Sequence, residues 1–187
     1  MLRILIGSIL GGFVQWVIGA IAWATPLSKL ALRSLGDDQA ADLQASMART
    51  LAATGNGAYF IPTPGTSAQT AMLGHGPVGL VFFNASGFAP MDWRGIMIGF
   101  VLSIVMLLIV GIALRGVDGF AARIRTTALF AVATLLYFVL SLPVYNSYMP
   151  WDWWIYLTVE ELIAFGAGAF VLIRWFLPPT PPAPTLH

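Results

Sequence analysis

Residues 153–173 read WWIYLTVEELIAFGAGAFVLI, an apolar run of 21 residues that carries two adjacent glutamates, Glu160 and Glu161, near its middle. An α-helix needs about 20 residues to cross the roughly 30 Å hydrocarbon layer of a bilayer. Three more apolar runs of similar length begin at residues 4, 95 and 126. Because core helices of soluble proteins are shorter and amphipathic, the runs predict four transmembrane helices, at 4–24, 95–115, 126–145 and 152–174.

The composition of the chain also indicates a membrane protein and argues against several classes of function. Of the 187 residues, 58% are hydrophobic and only 9% are charged, whereas about 25% are charged in an ordinary globular domain. The net charge of +1 gives no support for nucleic-acid binding. The chain has no cysteine and only two histidines, so we expect no thiol chemistry, no metal site and no cofactor.

The 70 residues at 25–94 are too many for a simple connection between the first two predicted helices. Leu43, Met47 and Leu51 recur every four residues, which predicts an amphipathic helix at 38–53. Farther along the insertion, aromatic and β-branched residues flanked by turn residues favour short strands. The remaining predicted elements are a strand at 58–62, a short helix at 67–73 and a strand at 78–84.

These predictions define the expected fold class, an all-α membrane protein with a small α+β extracytoplasmic insertion between helices 1 and 2. His75 stands between two glycines with no acidic residue or second histidine nearby, and we interpret it as a turn residue. The proline-rich segment 178–187 cannot continue a helix, so we expect an extended cytoplasmic tail.

The distribution of charge predicts the orientation of the helices. With a cytoplasmic N-terminus, the inner side carries five arginines and one acidic residue, Asp118, whereas the outer side carries four basic residues and five aspartates. Both termini are therefore predicted to be cytoplasmic. The low lysine content and abundant alanine and glycine indicate a bacterial chain, so we expect the inner membrane. The five arginines are Arg3, Arg115, Arg123, Arg125 and Arg174.

Tryptophans flank the predicted helices at both membrane surfaces. Indole rings prefer the headgroup level because one side is apolar and the N–H can hydrogen-bond to water or lipid. We interpret these residues as interface anchors rather than as a ligand cage. They are Trp23, Trp93, Trp151, Trp153 and Trp154 on the outer side and Trp175 on the inner side.

The N-terminal run has two interpretations. Arg3, the apolar residues after it and the sequence Ala22-Trp23-Ala24 resemble a signal peptide with its cleavage site. However, 21 apolar residues exceed the usual 7–15 of a signal peptide, and four glycines in the run favour helix packing. We therefore expect an uncleaved first transmembrane helix.

Two short motifs in the insertion carry a resemblance to a group of proteins. They are Gly-x-Tyr-Phe-x-Pro, at residues 57–62, and Gly-Pro-x-Gly, at residues 76–79. Together with the three apolar runs that follow, they resemble a group of uncharacterised small four-span membrane proteins of bacteria. The resemblance implies this layout of the fold and no activity.

Glu160 and Glu161 lie at a depth where an ionised carboxylate costs about 2.5–3.5 kcal/mol on translocon scales. Such groups are usually protonated, paired, or turned toward a polar interior. Since neighbouring residues of a helix point about 100° apart, both can avoid lipid only if the fourth helix is largely enclosed. We predict an intramembrane polar cluster of Gln15, Tyr137, Tyr156 and the two glutamates, at least one of them protonated.

Two functions remain open for this cluster. In the first, the acidic residues hold the bundle together or receive a basic residue of another subunit. In the second, they form part of a proton or cation path.

An enzymatic function has little support in the sequence. Residues 160–165, EELIAF, resemble the start of the Glu-Glu-x-x-x-Arg motif of CAAX-protease-like membrane proteins, but Phe165 replaces the arginine. The intramembrane histidines that this family and the rhomboid-like proteases need are missing. We therefore predict a non-enzymatic accessory or scaffold subunit of a larger inner-membrane assembly, with a small transporter or proton-coupled protein as the alternative. Its expected partners are the bilayer and either other membrane subunits or further copies of itself, with no nucleic acid.

Overall fold

The computed structural model describes residues 1–89 and 91–178, and most of these residues are α-helical. Two short 3-10 helices, Pro26–Leu30 and Leu114–Gly116, follow the first and fourth α-helices, and a π turn, Leu172–Phe176, continues the seventh. Apart from Pro178, the predicted tail at 178–187 lies outside the described residues. In chain order the other elements are α1 (Leu2–Ala24), α2 (Asp37–Leu51), β1 (Gly57–Ile61), α3 (Ser67–His75), β2 (Gly79–Phe83), α4 (Trp93–Ala113), α5 (Phe120–Phe138), α6 (Ser141–Tyr145) and α7 (Trp151–Val171).

Within the described residues, four helical segments are long and apolar enough to cross a membrane, one for each apolar run of the sequence. Three of them differ from the predicted ranges by only one or two residues at either end. The third begins six residues earlier than predicted. The segments are Leu2–Ala24, Trp93–Gly116, Phe120–Tyr145 and Trp151–Phe176.

The third segment starts early because Arg123 is accommodated inside the fold. Its side chain is buried, Nε donates to the carbonyl of Val117 at 2.8 Å, and Nη1 donates to the carbonyl of Pro178 at 2.7 Å. A buried guanidinium is tolerated when its N–H groups are hydrogen-bonded. The helix therefore begins six residues before the predicted span at 126–145, which placed this arginine in the preceding loop.

The third segment is also interrupted, whereas a continuous helix at 126–145 is predicted from the sequence. Proline lacks an amide hydrogen, and its ring clashes with the carbonyl four residues earlier. For Pro143 that carbonyl belongs to Val139, the residue that caps the end of α5. The amides of Val139 and Leu140 both donate to the carbonyl of Leu135, at 3.1 and 3.0 Å, which ends the α-helical pattern. The chain resumes as the short helix α6.

The long helices pack around α1, which lies between α4 and α7 and contacts both along much of its length. Helix α5 packs against α7 from the outside. Its buried residues, Arg123, Thr127 and Ala131, all fall within its first 12 residues. The second half of α5 therefore contributes little to the interior.

The main hydrophobic core lies where the start of α1 meets the final turns of α4 and α7. We call this region the closed end of the bundle. Leu107 and Leu172 have no exposed surface there, so α1, α4 and α7 pack tightly around these two side chains. The core residues are Ile4, Leu107, Leu114, Ala169, Leu172, Ile173 and Leu177.

Glycines allow the backbones to approach closely at the closed end. A Cβ atom added to Gly11 would lie 2.5 Å from the carbonyl oxygen of Gly168, and one added to Gly168 would lie 2.7 Å from that of Gly11. A Cβ atom added to Gly12 would lie 3.0 Å from the backbone nitrogen of Ile104 on α4. The Ser103 hydroxyl donates to the carbonyl of Gly12 at 3.1 Å, which ties α4 to α1. Small residues thus determine which helices are neighbours.

Residues 25–92, which we call the cap, connect α1 to α4 and contain a small α+β unit. Strands β1 and β2 pair antiparallel, with Tyr59 opposite Val81. Met47 of α2 and Phe82 of β2 line the same shallow groove, so the amphipathic helix lies beside the two-stranded sheet. The predicted helix and strands of the insertion are present, each shifted by one or two residues at its ends.

The cap rests on the bundle through a few contacts. The ring of Phe60 packs on that of Tyr148, in the connection between α6 and α7, with centroids 5.0 Å apart. Arg33 forms an exposed salt bridge with Asp152 at the start of α7, at 2.7 Å. These contacts place the cap at the end of the bundle opposite the closed end, which we call the cap end.

His75 ends α3 instead of standing in a turn, so the prediction for this residue is wrong. Its Nδ1 lies 2.8 Å from the carbonyl oxygen of Ala71, one helical turn earlier. The turn begins at Gly76, which has a φ of +67°. A glycine adopts this backbone conformation without steric strain.

Candidate functional site

A cleft of about 710 Å³ opens between α1, α4 and α7 toward the cap end, and we call it the acidic cleft. Pockets that bind small molecules typically have volumes of about 300–1,000 Å³. Its two glutamates lie roughly 14 Å along α7 from Trp151, near the middle of that candidate membrane segment. The lining includes Gln15, Gly19 and Trp23 of α1, Trp93, Ile96, Gly99 and Ser103 of α4, and Glu160, Glu161 and Ala164 of α7.

The cleft forms because the side chains of α1 change in size along the helix. Its first half carries glycines on the faces toward α4 and α7, whereas its second half carries Gln15, Trp16 and Trp23. The ring of Trp16 packs against Phe100 of α4, with centroids 5.8 Å apart. Large side chains keep the helices apart at this end, since helix separation depends on the residues at the contact.

Glu160 faces α1 and is only 8% exposed. It lies on one stripe of α7 with Ala164 and Gly168, because residues four apart occupy the same face of a helix. Gly19 of α1 lies opposite, and a Cβ added there would be 3.5 Å from the Glu160 Oε1. The absence of a side chain at Gly19 thus leaves room for the carboxyl group between the two helices.

A group of aromatic side chains covers Glu160 on the cap side. The indole Nε1 of Trp23 donates to Glu160 Oε2 at 3.3 Å. The rings of Trp153 and Tyr156 both pack on Trp23, with centroid distances of 5.2 Å. The Tyr156 hydroxyl donates to the carbonyl of Ala22 at 2.7 Å, so it binds the backbone of α1 and not a glutamate.

Glu161 is half-buried and lines two cavities. One is the acidic cleft, and the other is a smaller cavity of about 180 Å³ between α4, α5 and α7. Within the described residues, no arginine or lysine forms an ion pair with Glu161 or with Glu160. The two acidic side chains therefore lack a basic partner in this part of the protein.

Gln15 lies along the same wall of the cleft. Its Oε1 is buried and has no hydrogen-bond partner within the described residues. A buried polar atom without a partner costs about 1–3 kcal/mol. Gln15 Oε1 and the carboxyl oxygens together give the cleft several hydrogen-bond acceptors.

The structure does not bring Tyr137 to the predicted polar cluster, and this part of the prediction is corrected. The side chain is 65% exposed near the end of α5, where it packs on Phe138. Its backbone carbonyl accepts a hydrogen bond from Ser141. Since α5 lies outside α7 and its second half is not buried, no residue near its end reaches α1.

The predicted interface tryptophans fall into two groups. Trp93, Trp151 and Trp175 are at least half exposed, as an interface anchor requires. Trp23 and Trp153 pack inside the aromatic group over Glu160 instead, and Trp154 is half-buried. Sequence reasoning missed the role of Trp23 as a hydrogen-bond donor. The available signal was its position at the end of α1, close to Glu160 if α1 and α7 are antiparallel.

The polar side chains that line the cleft include the carboxyl groups of Glu160 and Glu161, the amide of Gln15 and the indole of Trp23. Among the described residues, no three His, Cys, Asp or Glu side chains are close enough together to hold a metal ion. The carboxyl groups, the amide and the indole can bind a ligand that donates hydrogen bonds or carries positive charge.

Comparisons of the chain with models of protein families, with curated proteins and with solved structures found no match.

Proposed function

We propose that this chain is a multi-pass protein of the bacterial inner membrane with both termini in the cytoplasm. Four long apolar helices support membrane insertion. The orientation is supported by the charges, since five arginines lie at or near the closed end and only one acidic residue accompanies them.

Within that membrane we propose a non-enzymatic role as an accessory or scaffold subunit that binds another membrane protein through the acidic cleft. The observation that carries this proposal is a set of hydrogen-bond acceptors without a basic partner: Glu160, Glu161 and the unpaired Oε1 of Gln15. Unpaired polar groups at this depth are unfavourable. A lysine, arginine or amide side chain of a partner helix can donate hydrogen bonds to these oxygens.

The cap offers a second surface that supports partner binding. Phe82 is 80% exposed and Phe88 is 83% exposed, on or after strand β2. Leu43 on the amphipathic helix α2 is also exposed. Large exposed apolar side chains are typical of protein–protein contacts.

One observation favours the alternative, a small transporter or proton-coupled protein. Glu161 lines both the acidic cleft and the smaller cavity behind it, so its carboxyl group connects two spaces. Against a continuous path stands the closed end, where Leu107 and Leu172 have no exposed surface. We therefore place partner binding first.

Purification from membranes in a mild detergent tests the proposed role. The Glu160→Gln/Glu161→Gln double variant keeps the shape of both side chains and removes their ability to pair with a cation. We expect the unchanged protein to retain a membrane partner in a fixed stoichiometric ratio and the double variant to lose it. Circular dichroism of both proteins should show the same helix content.

An Asp37→Asn/Asp38→Asn variant is the matched control, because it removes two acidic groups from α2, outside the cleft. Loss of the partner in both double variants would contradict docking in the cleft. A monodisperse protein without a partner, whose proton or cation flux in liposomes disappears in the Glu160→Gln/Glu161→Gln variant, would replace this role with transport.

A further inference from the structure

We propose that the closed end carries a second site, which binds the phosphate group of an anionic ligand. A pocket of about 370 Å³ lies between the start of α1, the start of α5 and the π turn after α7. Three arginines, Arg3, Arg123 and Arg174, line it together with Phe120 and Trp175. Guanidinium groups are well suited to phosphate, because they can donate two parallel hydrogen bonds to its oxygens.

Arg123 gives this pocket a fixed cationic group. Its hydrogen bonds to the carbonyls of Val117 and Pro178 hold the buried side chain between two segments of the chain. Neither of these backbone acceptors carries a charge. The positive charge of Arg123 therefore remains uncompensated by its immediate hydrogen-bond partners.

The π turn Leu172–Phe176 places Arg174 and Trp175 at the pocket. The Arg174 guanidinium carbon lies 6.0 Å from the centre of the Phe120 ring, so the side chain is directed across the pocket and not along α7. The exposed side chain of Arg3 completes the group of arginines from the opposite helix.

The surroundings of the pocket are strongly basic. Arg115 and Arg125 lie at the same end of the bundle, and the one acidic residue in this part of the sequence, Asp118, does not line the pocket. Among the described residues, none of the three lining arginines takes part in an ion pair. An anion in the pocket would thus meet three cationic side chains, and no carboxylate is among the described residues that line it.

The rest of the lining is apolar or aromatic, which suits a ligand that carries an apolar group beside its phosphate. Ile173 and Leu177 provide apolar surface below the arginines, and the exposed Trp175 lies beside them. Basic pockets between transmembrane helices on the cytoplasmic side bind anionic lipid headgroups. The phosphate could also belong to a soluble phosphate ester, which would use the same arginines. The lipid source depends on the proposed membrane location, whereas the soluble source does not.

Native mass spectrometry of the purified full-length chain tests the site. The protein would be reconstituted in nanodiscs of phosphatidylcholine alone or with phosphatidylglycerol, and the lipids retained after release would be counted. We expect retained phosphatidylglycerol, and at least about tenfold weaker retention for the Arg3→Gln/Arg174→Gln variant, which loses charge-assisted hydrogen bonds. Both arginines are exposed, so helix content should not change.

The Arg115→Gln/Arg125→Gln variant is the matched control, because it removes two charges from the same end but outside the pocket. Retention that falls equally in both variants would overturn the proposed site and leave only general attraction to the anionic surface.

Inorganic pyrophosphate, titrated into phosphatidylcholine nanodiscs, distinguishes a lipid headgroup from a soluble phosphate as the ligand. Binding that depends on Arg3 and Arg174 would support the site with a soluble ligand, and binding of neither anion would overturn it. The membrane partner proposed for the acidic cleft is measured separately, in the Glu160→Gln/Glu161→Gln variant. The two proposals can therefore fail independently.

Discussion

The closed end and the acidic cleft are formed by the same three helices, yet the helices pack in opposite ways. At the closed end Gly11 and Gly168 let the backbones of α1 and α7 touch. At the cap end Gln15 and Trp23 hold α1 away from its neighbours and leave a space of about 710 Å³. The comparison shows that side-chain size along one helix can separate a region that stabilises the fold from a region that is free to bind.

The two regions also differ in charge. Glu160 and Glu161 are the acidic groups of the cleft, and arginines surround the closed end. Substitutions at the closely packed glycines of the closed end should therefore change stability, whereas substitutions that fill the cleft should change binding and leave the helices in place.

The largest expected effect on the fold comes from one methyl group at the closed end. A Gly168→Ala substitution would place Cβ within 2.7 Å of the Gly11 carbonyl oxygen. We expect a loss of about 1–3 kcal/mol in the free energy of unfolding, as for other overpacked interiors. The measurement is unfolding in mixed detergent micelles, followed by circular dichroism.

Gly166→Ala is the control for this experiment, since a Cβ at Gly166 on the same helix would meet no atom within 4 Å. Its stability should be unchanged or slightly higher, because alanine favours the helix over glycine. Equal destabilisation by the two substitutions would show that α1 and α7 do not touch at Gly168.

A larger side chain in the cleft should instead remove binding while leaving the fold intact. Gly99 of α4 lines the cleft, and a Cβ there would meet no atom within 4 Å, so the helices accommodate a leucine at this position. For Gly99→Leu we expect at least about tenfold less partner in purifications. Helix content should match that of the unchanged protein, whereas Gly12→Leu, which meets the backbone of Ile104, should reduce the yield of folded protein.

A smaller loss of stability is expected when the hydrogen bond between Trp23 and Glu160 is removed. Trp23→Phe keeps an aromatic ring beside Trp153 and Tyr156 but removes the Nε1–H donor. The free energy of unfolding should fall by about 1 kcal/mol, the usual contribution of one hydrogen bond. Trp93→Phe serves as the comparison, because Trp93 is largely exposed and its indole makes no hydrogen bond within the described residues. Equal stability of the two variants would argue against the Trp23–Glu160 hydrogen bond.

The smallest effect is expected for the exposed salt bridge between the cap and α7. Arg33 and Asp152 are 2.7 Å apart, but the Arg33 side chain is 88% exposed. Exposed ion pairs contribute little to stability, because water and salt screen them. The melting temperature of Arg33→Gln should therefore equal that of the unchanged protein in a buffer with physiological salt. A clear decrease would mean that the cap is held to the bundle more rigidly than this contact indicates.

The main features of the bundle could be predicted from the sequence, since an apolar run of about 20 residues has few alternatives to a membrane helix. The glycines of α1 also indicated where helices approach closely. The break before Pro143 was missed because an apolar run does not show where a helix is interrupted. The start of α5 was missed because Arg123 is satisfied by carbonyls of Val117 and Pro178, the second of which is distant in sequence.

The acidic cleft could be predicted only in part. The placement of Glu160 and Gln15 in one cleft follows from their depth along antiparallel helices. Depth does not say which helices are neighbours, and Tyr137 was therefore included although α5 lies outside α7. Trp23 was wrongly left out of the predicted polar cluster. It was interpreted as an interface anchor, although its indole binds Glu160. Trp23 and Glu160 are 137 residues apart in the sequence, so their contact can be identified only from the structure.

Photocrosslinking from two isoleucines of α4 tests most directly whether a partner occupies the acidic cleft. Ile96 lines the cleft, and Ile98, two residues later, is exposed and does not line it. With a photoreactive residue at either position, we expect a protein adduct from position 96 and none from position 98, and no adduct from position 96 in the Glu160→Gln/Glu161→Gln background. Equal protein adducts from both positions, or only lipid adducts from position 96, would contradict partner docking in the cleft.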